Sequence, residues 1–394
     1  MISDELVSQD DLDLEDVFAM LGAFSGGGYG GLDQMLGKRP DIVRRLQALS
    51  PQAATTFGAL LTVPELQASS ARIEAMVHLA VAYAQGTQAP SSRLTHDLYH
   101  HVGSVAGHLE DPAEDLMIEA VRGPWGNFRV VAGLWEGGGF FLQRFLDVIA
   151  HMPEGEPFES VQRPVIALLK LSEELCARGG LARHALGAEM PLRAVAKEQL
   201  GRWMRGRSWL SFSDSDLDRL GIVPDDLAPF VSTTADKPVL LSSALGNTVL
   251  ERRPLIAAGG EYHLVLPNAV TAAIRYWVID ALTRLGRRTD LCRALSLSYA
   301  QLFNEIQLLG GASSAVLDFE PDGGALVAET MIRFDTGRTI HFLFFTDTLD
   351  DIDETGLSGL NPAGVTLGEM FEKRIAARYS QAAGDPDYKE GMTL

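Results

Sequence analysis

The chain has 394 residues, 46% of them apolar and 22% charged, with a formal net charge of −19. Such a length supports two or three units with interiors of their own, so folding should need neither metal nor disulfide staples. The acid excess and a pI near 4.9 argue against a surface that holds polyanions non-specifically, because that kind of binding comes from neutralising phosphates.

The opening MISDELVSQDDLDLED is acidic where a secretory signal would be basic and then apolar, so no export signal is read there. Residues 12–24 carry apolar positions at helical spacing, and their early acids suit the positive end of a helix dipole. Helical patterns recur at about 32–48, 64–85 and 91–110, with Pro64 and Ser91 as natural starts. VIALLKLSEELCA reads as another amphipathic helix that stops at Gly179-Gly180. Ser213, followed three residues later by Asp216, resembles a helix-capping pair. Cys176 and Cys292 lie far apart in such helical patterns, the usage of a reducing compartment. Nowhere does an apolar run reach the ~18–20 residues that span a bilayer. Together these features predict a cytosolic protein with no membrane association.

From about Lys237 the character changes. PVLLSS, TVLERRPLI and YHLVLP are β-prone pieces separated by Gly, Asn and Pro, which predicts a small sheet. Asn268 is placed to cap a helix that buries Val270, Ile274, Trp277, Val278, Ala281 and Leu285 and ends at Gly286. A further helix opens at Thr289, with Leu295, Tyr299, Leu302, Ile306 and Leu309 on its apolar face. SAVLDFE, ALVAETMIRF and RTIHFLFFTD follow as strands, with Asp335-Thr336-Gly337 as a hairpin loop. Residues 365–379 read as a closing helix, and 383–394 as a mobile tail. The expected fold class is α+β: a mostly helical region over 1–235, then a small mixed sheet packed with helices over 236–382.

Several motifs suggest chemistry without completing it. Gly26, Gly28 and Gly31 fit GxGxxG, but a dinucleotide loop needs a strand before it and this one follows a helical pattern. His96 and His100 stand one helical turn apart and would hold a divalent metal if His108 or Glu110 converged on them. Asp351, Asp353, Thr355 and Gly356 match the first half of a calcium loop, yet Pro362 occupies the position of the bidentate Glu. GASSA at 311–315 lacks the last glycine of a nucleophile elbow. No metal or cofactor is therefore expected from motifs alone. RWMRGRSW interleaves Arg202 and Arg205 with Trp203 and Trp209, and Arg275, Arg284, Arg287 and Arg288 add positive charge to an acidic chain. These six arginines are the candidate binding residues for a protein or nucleic-acid partner.

Over residues 237–380, the segment ERRPLIAAGGEYHLVLPNAVTAAIRYWVIDAL and the helix, strand, strand, strand, helix order after it resemble bacterial proteins with a restriction-endonuclease-like domain of the PD-(D/E)xK type. The resemblance implies a helix Glu and strand carboxylates gathered on magnesium. Glu305 on the helix and Glu329 on the second strand occupy comparable places. The acid pair of the family becomes Glu329-Thr330-Met331, and IHFLFFTD supplies neither the acid nor the Lys of ExK; His341 and Asp347 are its nearest polar residues. The expectation is a non-enzymatic cytosolic binding or scaffold protein with a degenerate nuclease-like domain. The alternative is a magnesium-dependent nuclease with a displaced set of Glu305, Asp318, Glu329 and Asp347.

Overall fold

The computed structural model describes residues 36–61, 70–105, 116–133, 138–179, 209–233, 249–305, 312–315, 326–336 and 339–345. It is an α+β protein, and one apolar core runs through it from Leu36 to Ala328. Among the described residues no helix is long and apolar enough to cross a membrane.

The first helices are α1 (Pro40–Ala48), α2 (Ala53–Leu60), α3 (Ser70–Tyr83) and α4 (Ser92–Val105). The expected helix over 32–48 is interrupted: residues 36–38 are helical, Arg39 is not, and Pro40 sits at the start of α1, where its missing N–H costs nothing. Helix α3 is buried on every side from Ile73 to Tyr83, as expected of an apolar helix surrounded by others. Among its described side chains, helix α4 instead buries Leu94, Leu98 and Val102, one turn apart each, and leaves His96 and His100 exposed. Ser91 caps it, its hydroxyl accepting the Leu94 N–H at 3.2 Å.

A hairpin follows that the sequence reading does not contain. Strands β1 (Leu116–Gly123) and β2 (Gly126–Gly133) pair antiparallel around Pro124-Trp125. Their apolar residues alternate imperfectly, since Val130 and Val131 are both fully buried, which hides the period of two on which strand recognition relies. Next come α5 (Gly138–Ala150) and the long α6 (Glu159–Gly179), whose end agrees with the predicted glycine stop.

The mixed sheet has the order β3-β6-β5-β4, with β4 (Val231–Ser232) parallel to β5 (Leu255–Ala258) and the other pairs antiparallel. Strand β3 (Ser211–Ser213) leads into α7 (Asp214–Leu220), where the Ser213 N–H donates to Asp216 Oδ2 at 2.8 Å. A single-turn α8 (Pro224–Leu227) precedes β4. Strand β6 (Glu261–Leu264) returns from β5 through Gly259 and Gly260, both at positive φ, as a two-residue hairpin turn with the hand of the sheet requires. The sheet thus takes β3 and β4 from before residue 235 and β5 and β6 from after it. VLER, read as part of a strand, is the short helix α9 (Val249–Arg252).

Helix α10 (Val270–Arg284) buries Val270, Ile274, Val278 and Ala281. Two expectations there are corrected. Asn268 lies in a 3-10 turn before the helix and gives its amide to Glu74 Oε1 at 2.7 Å rather than capping α10. Leu285 is 37% exposed, because the chain turns away at Gly286 (φ +68°), with Arg287 N–H bonded to Leu282 O. Helix α11 (Arg288–Glu305) then packs on a meander of β7 (Ala312–Ala315), β8 (Leu326–Phe334) and β9 (Thr339–Phe345) in sequential antiparallel order.

Candidate functional site

Helix α5 spends Leu142, Phe145, Leu146 and Ile149 on the core. That 3-4 spacing leaves Arg144, Asp147, Val148 and the following His151 on another side, facing α11. Helix α11 buries Leu291, Leu295 and Tyr299 and turns Asp290, Ala294, Leu297, Gln301 and Glu305 toward the same space. Between them lies a groove of about 820 Å³. From Asp290 to Glu305 it follows ~22 Å of helix at about 1.5 Å per residue. Its floor is apolar, formed by Val148, Met152, Phe158, Leu282 and Leu291. Leu297 stands in it 56% exposed.

Charges line the rim, and most are already matched. Arg144 pairs with Asp147 at 3.2 Å and reaches Ser298 Oγ at 3.4 Å. Arg287 pairs with Asp290 at 3.1 Å. His151 donates its Nδ1–H to the Asp147 carbonyl at 2.6 Å. Glu305, at the far end, accepts a neutral amide hydrogen bond from Gln301 at 3.0 Å. Behind the groove Tyr299 stacks on Phe344 with ring centroids 3.9 Å apart. Burial raises the pKa of its hydroxyl against the opposing influence of Arg275 and Arg144.

The four arginines predicted near α10 are dispersed. Arg275 lies 5.8 Å from the Phe141 ring and Arg284 lies 5.1 Å from the Trp277 ring. Nine residues at about 100° each carry them to opposite sides of α10. Arg288 reaches Thr283 Oγ1 at 3.4 Å, and only Arg287 of the four lines the groove. Arg202 and Arg205 lie outside the described residues, as do the glycine-rich segment, the 351–362 turn, Asp318 and Asp347.

Glu305 and Glu329 occupy different surroundings. Glu329 is 1% exposed in the middle of β8, just after a bulge at Val327 where Leu326 pairs with Phe345 and Ala328 with Phe344. Its backbone N–H donates to Ser296 Oγ at 2.9 Å, and the next residue, Thr330, donates its hydroxyl to Ser296 O at 2.9 Å. Nine residues separate Ser296 from Glu305, ~13 Å along α11. On α4 the Nε2 atoms of His96 and His100 lie 3.0 Å apart; His108, Glu110 and the His101 side chain lie outside the described residues. Among the described residues no three His, Cys, Asp or Glu side chains gather as a metal site. Both cysteines are buried and free, and burial pushes the Cys176 thiol up to about 12, which makes a nucleophilic role unsuited to it.

Sequence reasoning missed the groove. The stripe Arg144, Asp147, Val148, His151 was there to be read at helical spacing, but nothing local pairs it with α11, about 150 residues on.

Compared with protein-family models, residues 32–394 match the family described as anti-phage protein Upx-like. No curated protein matches the chain, and no solved structure does.

Proposed function

We propose, because the chain belongs to the Upx-like family of anti-phage proteins, that it serves phage defence by binding a protein partner. The partner's amphipathic helix would lie in the groove between α5 and α11. The observation that carries this reading is the exposed Leu297 over an apolar floor along ~22 Å of helix, the length of about four turns. A compact small molecule would leave most of that length wet. Charge favours a cationic occupant: the rim pairs Arg144 with Asp147 and Arg287 with Asp290, Glu305 contributes a further carboxylate, and the whole chain carries −19.

The test starts from a display library of helical peptides of about 16 residues, selected against the full chain. Enriched peptides should carry apolar residues at i, i+3, i+4 and i+7 with Lys or Arg beside them. They should bind Leu297→Asp weaker by about tenfold or more. In infected cells the same variant should lose protection, read as efficiency of plating. Peptides that bind Leu297→Asp equally well, or a selection that enriches acidic sequences, would refute the reading.

A second reading keeps the magnesium-dependent nuclease. It is favoured by the order α11, β7, β8, β9, with Glu329 on the middle strand beside a bulge. Its weakness is the ~13 Å along α11 between Glu305 and the residue that touches the Glu329 backbone. Ligands of one magnesium ion all lie about 2.0–2.1 Å from it. Plasmid nicking with magnesium or manganese, lost in both Glu305→Ala and Glu329→Gln, would decide for this reading over the first.

A further inference from the structure

The two histidines of α4 form an arrangement that the groove does not use. Leu94, Leu98 and Val102 fix the inner face of the helix, which puts His96 and His100 on its exposed side, four residues and one turn apart. Their rings converge there, with centroids 4.2 Å apart, planes inclined at 62° and Nε2 atoms 3.0 Å apart. Tyr99 holds its ring edge-on to His100, with centroids 5.7 Å apart. Asp97 lies between the histidines in sequence and is bound to Arg45 at 2.7 Å.

We propose that His96 and His100 are a bidentate site for a divalent transition-metal ion of the nickel or copper class, its other positions filled by water. Imidazole suits zinc, copper and nickel alike, so geometry must choose among them. With metal–nitrogen bonds of about 2.05 Å, nitrogens 3.0 Å apart subtend about 94° at the ion. That is the angle between neighbouring positions in tetragonal copper or octahedral nickel. A tetrahedral zinc ion would need its two nitrogens about 3.3 Å apart. A hydrogen bond between the two rings would also bring the nitrogens together, but between exposed groups water competes for it. A metal ion uses both lone pairs at once.

The probes are copper, nickel and zinc chlorides titrated separately into the full chain by calorimetry, with electron paramagnetic resonance of the copper form. Wild type should bind one more copper ion than His96→Ala/His100→Ala. Its spectrum should carry two equatorial nitrogens, falling to one in either single variant. Each single variant should bind copper weaker by about tenfold or more. Because both side chains are exposed, melting temperatures without metal should stay unchanged, which separates loss of ligand from loss of fold. Equal copper stoichiometry and affinity in the double variant would overturn the proposal. So would a single nitrogen in the wild-type spectrum, and a preference for zinc over nickel would overturn the assignment of class.

Discussion

Ser296 joins α11 to the sheet, and removing its hydroxyl should show how firmly. It is fully buried, donates to the Cys292 carbonyl at 2.8 Å and accepts the Glu329 N–H at 2.9 Å. Glu329 lies opposite Leu343 of β9, just after the bulge at Val327, and its N–H is taken by the helix hydroxyl. In Ser296→Ala the Cys292 carbonyl loses a supplementary bond, but the Glu329 N–H is left buried without this acceptor. A buried donor stripped of its partner costs about 1–3 kcal/mol, and the better helix propensity of Ala returns about 0.5 kcal/mol. The expected net loss is therefore about 0.5–2.5 kcal/mol, measured as a lower urea midpoint at unchanged slope. Ser298→Ala, two residues on, is the control: Ser298 is half-buried at the groove and touches Arg144 only at 3.4 Å. It should shift stability by less than about 0.5 kcal/mol. If Ser296→Ala behaves like its control, the serine does not complete β8 and the account of how Glu329 is positioned fails.

Two further outcomes follow from buried positions. Burial takes the His78 imidazole from 6.5 down to about 4, against the hydrogen bond from its Nδ1 to the Glu74 carbonyl at 2.7 Å. Between those values the unfolded chain binds more protons, so the contribution is complete above about pH 6.5 and drains away as pH falls, by about 3 kcal/mol near pH 4. Urea melts of wild type and His78→Gln from pH 7.5 to 4.5 should therefore show the wild-type advantage shrinking as pH falls; a constant difference would contradict it. In α2, a Cβ on Gly58 would collide with the Val265 carbonyl, whereas Gly37 has nothing within 4 Å of that position. Gly58→Ala should cost about 1–3 kcal/mol or more and Gly37→Ala less than about 1 kcal/mol in either direction, both read from thermal melts.

Most of the helices were legible because each is specified within a few turns of chain; α2, α5 and α8 went unread, and α9 was read as strand. The 3-4 spacing of Val270, Ile274, Val278 and Ala281 fixes α10 whatever surrounds it, and Gly286 ends it in the conformation glycine favours. The order of α11 and the three strands after it was equally visible. The β1–β2 hairpin was not, since its buried positions depend on α5 and α6 lying against it and override the alternation.

The candidate sites divide along the same line. His96 and His100 belong to one helix, so sequence alone brought them within a turn of each other; whether their rings converge was a matter of side-chain rotamers. The arginine cluster looked continuous in sequence because 275, 284, 287 and 288 are close in number, but helical rotation and a turn at Gly286 scatter them. Asn268 had the right neighbours for a cap, yet Glu74, 194 residues away, offered a buried carboxylate that solvent-facing caps do not meet. Composition and periodicity, being sums over near neighbours, determined the class and most helices of this protein. The groove, the burial of Glu329 and the partners of each polar side chain came from tertiary packing, because only packing brings together segments that share no local pattern.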